Sequence, residues 1–144
     1  MQAQTGKVPT SLWGVGVFGL IWNLIGVGFF IMQVGMGEQA LAAMPLEQRA
    51  VYEATPAWIY VFYGIATIGG ALGALGLLLR RRWAAPVLLI ALVALAFQVV
   101  SGLLVTPMLE TGGVTSLAFP VVLLVIATLL WGFARRMAAR GVLR

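Results

Sequence analysis

No cysteine and no histidine occurs in the 144 residues. Their absence removes structural disulfides, thiolate and imidazole metal sites, bis-histidine haem ligation, and nucleophilic or acid–base chemistry that depends on either side chain. Charge is nearly as scarce, at 9% of residues against an average of about 25%. Only four residues are acidic: Glu38, Glu47, Glu53 and Glu110. With 62% of its residues hydrophobic, the chain lacks the polar surface of a soluble domain and reads as an integral membrane protein. Its net charge of +5 does not imply nucleic acid as a partner, because the basic residues cluster at the ends of apolar segments and form no stripe along a soluble face.

The apolar segments are long. Residues 11–36 carry no charge, more than the ~20 residues needed to cross a hydrocarbon core of ~30 Å, so a first helix spans with tilt or protrudes. A second is expected over 57–79, with Trp58 and Tyr60 as interfacial anchors, a third over 84–108, and a fourth over 115–134 with Pro120 in its first turns. The expected fold is all-α: a single domain, 1–144, built as a bundle of four transmembrane helices. Residues 1–10 read as a short exposed tail, too polar for a cleaved signal.

Between the first two spans the character changes. Pro45 followed by Glu47 marks a helix start, because Pro is tolerated at the first turn and carboxylates favour the positive end of the helix dipole. Leu46, Ala50, Val51 and Ala54 then share a face, which predicts a short amphipathic surface helix over 45–54, ended by Pro56. It would cap the bundle or meet a partner outside the membrane. Glu110 to Gly113 read as a turn between the third and fourth spans.

Arg80, Arg81 and Arg82, followed by Trp83 and Pro86, mark a tight loop between the second and third spans. With four spans, Lys7, these three arginines, Arg135, Arg136, Arg140 and Arg144 share one side, and Arg49 with all four glutamates lies on the other. Short loops rich in Lys and Arg stay cytoplasmic, so both termini are expected in the cytoplasm, in a bacterial inner membrane. The arginines, chiefly Arg80, Arg81, Arg82, Arg135 and Arg136, also offer contacts to anionic lipid. Trp13, Trp83 and Trp131 fall at that interface and Trp58 at the opposite one, whereas Trp22 sits at mid-depth.

Two sets of residues lie inside the spans. Asn23, Thr67, Gln98 and Ser101 form a polar layer near mid-membrane. Amides facing lipid would leave donors and acceptors unpaired, so these groups should point inward and pair across helices. They are either interhelical glue or, through Asn23, Tyr63 and Gln98, contacts for a neutral solute. Gly16, Gly19 and Gly26 share a face of the first helix with Asn23, and the second carries Gly69, Gly70, Gly73 and Gly76, with a GxxxG pair at 69 and 73. Such faces serve close packing within one bundle, a homo-oligomer, or the docking of another membrane subunit.

No Asp, Glu, Lys, Arg or His lies within any span, which disfavours a proton-coupled antiporter. No catalytic, cofactor-binding or metal-binding residue is expected.

Two blocks carry a family resemblance: EQRAVYEATPAWIY at 47–60 and GGALGALGLLLRRRWAAPVLLIALVALAFQ at 69–98. Together they resemble a group of small bacterial four-span membrane proteins of unknown function, some of them labelled sugar transporters, and the layout is more distantly similar to DoxX-like four-helix proteins. The resemblance implies a four-helix membrane fold and, through the label, transport of a sugar-like solute. The residues themselves favour a non-catalytic accessory or structural subunit that packs against itself or a larger inner-membrane complex. The alternative is a facilitator of a small neutral solute such as a sugar. The partners expected are membrane lipids and other membrane subunits.

Overall fold

The computed structural model describes residues 7–144, so the N-terminal tail expected over 1–10 falls largely outside the described residues. Among these, the chain is all-helical, and four helices are long and apolar enough to cross a membrane. They are α1 (Thr10–Val34), α4 (Ala57–Leu78), α5 (Ala84–Val105) and α7 (Ala118–Ala139). Short helices α2 (Glu38–Ala43) and α3 (Leu46–Ala54) join α1 to α4, and α6 (Met108–Gly112) with a 3-10 turn over Gly113–Leu117 joins α5 to α7.

Local chemistry sets the boundaries. Pro9 and Pro56 stand as N-caps of α1 and α4, where a missing N–H costs nothing. The first long helix ends at Val34 rather than continuing to residue 36, because Gly35 and Gly37 release the chain into α2, a helix the sequence does not announce. The third stops at Val105, short of residue 108: Thr106 is extended, as the residue before a proline prefers to be. The turn expected at Glu110 to Gly113 is instead α6 and the start of the 3-10 turn. The fourth long helix starts later than residue 115 and runs past residue 134 to Ala139, carrying Arg135 and Arg136 within its last turns.

The four long helices alternate in direction, which gives the bundle an arginine-rich end and a glutamate-rich end. At the arginine-rich end the core is tightest, with Leu12, Leu77, Leu88, Leu130, Met137 and Leu143 in one buried cluster. Leu143 belongs to a C-terminal segment that folds back onto the loop between α4 and α5. Both α4 and α7 end in the same left-handed C-cap. Arg81 N–H donates to Gly76 O (2.8 Å) and Arg80 N–H to Leu77 O (3.0 Å), while Val142 N–H donates to Met137 O (3.0 Å) and Gly141 N–H to Ala138 O (3.1 Å). Gly141 takes the positive φ of 73° without cost, but in the loop that position is held by Arg80, at φ 56°. A clasp holds it there: Arg144 N–H donates to Arg80 O (2.7 Å), Arg82 N–H to Arg144 O (2.9 Å), and Arg80 Nε to Val142 O (3.1 Å).

Candidate functional site

Along the bundle, α1 packs on α4, α4 on α5, and α5 on α7. The circle is not closed. Leu130 of α7 lies over Gly19 of α1, its Cδ2 2.9 Å from where a Cβ on that glycine would stand. Towards the glutamate-rich end α1 and α7 make no comparable contact, and a cavity of about 500 Å³ lies between them. Its walls are Trp22, Gly26, Phe29 and Met32 of α1, Ala66 and Gly70 of α4, Leu88, Ala91 and Leu95 of α5, and Phe119, Leu123, Ile126 and Ala127 of α7. Among the described residues, the side chains that bring hydrogen-bonding groups to it are Trp22, Asn23, Gln33, Tyr63 and Thr67. No charged residue lines it among the described residues.

Asn23 stands in this wall near the middle of α1. Its Nδ2 donates to Gly19 O one turn back (2.7 Å), and its carboxamide rests against Cα of Gly70, occupying the space a side chain there would need. Oδ1 has no hydrogen-bond partner among the described residues. Thr67 is buried and turns its hydroxyl to Tyr63 O (3.0 Å) and Gly64 O (3.3 Å) of its own helix. Tyr63 packs edge-on against Phe30 at 5.3 Å between centroids.

The polar layer therefore does not pair across helices as expected. Asn23 and Thr67 turn to carbonyls three and four residues back, a local bond always within reach of short polar side chains on a helix. Ser101 is buried on α5. Gln98 stands apart from the cavity, with a buried Oε1 that has no partner among the described residues. Of the three residues suggested as solute contacts, Asn23 and Tyr63 meet at one cavity and Gln98 does not.

The glycines pack within the chain. Gly16 faces Leu78, Gly19 faces Leu130 and Ala74, and Gly26 faces Thr67. On α4, Gly69 faces Ala91, Gly73 faces Leu88, and Gly76 faces Trp83 and Ala84. Gly70 of the same set receives Asn23 from α1, and Gly64, which the spacing does not single out, receives Phe30. Among the arginines, Arg80 and Arg82 direct Nε to the carbonyls of Val142 and Leu143 (3.1 and 3.3 Å), and Arg135 lies over the Trp131 ring at 5.6 Å. Arg81 and Arg136 are exposed.

At the glutamate-rich end, Tyr52 Oη of α3 donates to Gln33 O (3.2 Å), tying the surface helix to the end of α1. Arg49 Nε pairs with Glu53 Oε1 at 2.8 Å on the exposed side of α3, a contact worth little in water.

Compared with known protein families, curated proteins and solved structures, the chain matches none of them.

Proposed function

We propose that this chain is a non-catalytic multi-pass protein of a bacterial inner membrane, with both termini cytoplasmic, whose α1–α7 cavity takes up a neutral, largely apolar small molecule from the membrane. The observation that carries this reading is the cavity. Its volume of about 500 Å³ falls within the ~300–1,000 Å³ usual for small-molecule sites, and such sites are mostly apolar with a few placed polar groups. It lies between two helices that are each apolar enough to face lipid, which supports entry from the membrane.

A sugar fits these walls less well. Its hydroxyls point outward on all sides, and five polar side chains among many apolar ones would leave most of them desolvated and unpaired. A role as an accessory subunit draws support from the long exposed face of α1 that carries Val17, Ile21, Leu24 and Ile31. The glycines suggested as its docking face are covered by neighbours in the same chain, however, so a partner would have to use another surface.

Vesicles doped with a hexadecane carrying a photoactivatable diazirine test the reading. Labels should concentrate on Phe29, Leu123 and Ile126, and fall when Ala127→Phe fills the cavity. An even spread over outward residues such as Ile21, Val93 and Leu129 would count against a site.

A further inference from the structure

We infer that the cavity selects an uncharged alcohol, a largely apolar molecule that donates its hydroxyl hydrogen to Oδ1 of Asn23. This rests on the reading of the cavity as a small-molecule site open to the membrane. Charge is excluded first: among the described residues no Asp, Glu, Lys or Arg lines the walls, and an ion at this depth would be buried without a partner.

The orientation of Asn23 then sets the kind of polar group. Gly19 O can only accept, so the carboxamide nitrogen must face it, and the 2.7 Å bond fixes the side chain. Oδ1 is thereby held against Gly70, where no side chain can cover it. The nearest hydroxyl along α4, that of Thr67, is directed to Tyr63 and Gly64 carbonyls. What remains at Oδ1 is a fixed acceptor at the cavity wall to which no side chain donates among the described residues, and at that point it discriminates for a molecule that brings a donor. A hydroxyl satisfies it. A ketone or ether presents a second acceptor, and an alkane leaves it unpaired.

Depth adds a further constraint. Asn23 stands near the middle of α1 (Thr10–Val34), so the hydroxyl would lie far from either end of the span. The molecule therefore carries apolar parts on both sides of its hydroxyl, or a ring body around it, unlike a lipid whose polar head stays at the interface.

The test is competition against the diazirine-hexadecane label in vesicles holding the whole chain. The competitors are hexadecane, hexadecane bearing a mid-chain ketone, hexadecane bearing a mid-chain hydroxyl, and hexadecanoate. The hydroxyl compound should displace the label from the wild-type cavity at a concentration roughly five- to tenfold below the ketone and the alkane, the difference one hydrogen bond makes. Hexadecanoate should show no such advantage. Asn23→Leu, which keeps the branching but removes Oδ1, should close the gap between the alcohol and the alkane. Equal competition by alcohol, ketone and alkane on the wild type would overturn the inference and leave the cavity reading standing. A gap that survives in Asn23→Leu would also overturn it. Competition by none of the compounds would overturn both. The wild-type comparison needs no variant, so a poorly folding Asn23→Leu would not shield the inference from refutation.

Discussion

The carboxamide of Asn23 fills the space that a side chain on Gly70 would need. The two residues belong to different helices, and the absence of a Cβ on α4 is what lets a polar group on α1 lie at the cavity wall with one hydrogen bond made and one acceptor open. Gly70→Ala should push the carboxamide out of place and destabilise the bundle by about 1–3 kcal/mol, the usual cost of overpacking. In an Asn23→Ala background the same change should be neutral or stabilising by up to ~1 kcal/mol, since alanine is the better helix former. Thermal unfolding of the four proteins of this cycle in one detergent measures the coupling; additive effects would mean the two positions do not meet. Gly28→Ala, where nothing lies within 4 Å, is the control and should not destabilise.

The clasp at the arginine-rich end makes a second prediction. Leu143 is fully buried among Leu12, Leu77 and Met137, although it lies beyond the last helix. Leu143→Ala should cost about 2–5 kcal/mol, as for other large-to-small changes in a core. If the C-terminal segment were merely a solvated tail, the melting temperature would not move.

Arg80 separates two contributions in the same loop. Its left-handed backbone costs roughly 1–2 kcal/mol for a residue with a Cβ, whereas its Nε bond to Val142 O adds about 0.5–1.5 kcal/mol. Arg80→Gly should remove both and leave stability within about 1 kcal/mol of the parent. Arg80→Ala keeps the strain, loses the bond, and should melt lower than Arg80→Gly. The reverse order would show that the backbone at position 80 is unstrained.

Topology is directly accessible because the chain has no cysteine to remove. Single cysteines at the exposed positions Glu47 and Arg81 should behave oppositely in intact cells. A membrane-impermeant maleimide should label Glu47→Cys from outside and reach Arg81→Cys only after lysis. Labelling of Arg81→Cys in intact cells would invert the proposed orientation.

Much of the architecture is legible in the residues. Charge-free runs set the four long helices, and Pro56, Pro107 and the RRRW loop place most of their ends, because helix breaks and charges act locally. The existence of α3 follows from Pro45, Glu47 and the spacing of its apolar face, since that too is a one-helix property. Less local features were out of reach. Nothing in residues 141–144 reveals that Val142 and Leu143 turn back to fill the core, because a short apolar pair beside arginines looks the same on a free tail. The cavity depends on where α7 stands relative to α1, and its apolar lining at Phe119, Leu123 and Ile126 is indistinguishable in sequence from a lipid-facing surface. Asn23 was identifiable as a polar residue at mid-span, but its seat on Gly70 requires knowing the register of α1 against α4. Gln98 looked equivalent to Asn23 by depth and lies elsewhere, since depth alone does not fix the direction in which a side chain points.

The most direct measurement is the mass of the intact protein released from native nanodiscs, taken for the wild type and for Ala127→Phe. A cavity that holds a membrane-derived molecule predicts wild-type protein carrying one small neutral adduct per chain, absent from the filled variant while its fold and melting temperature persist. Wild-type protein that emerges bare, or a variant that retains the same adduct, would contradict the assignment of the α1–α7 cavity as the binding site.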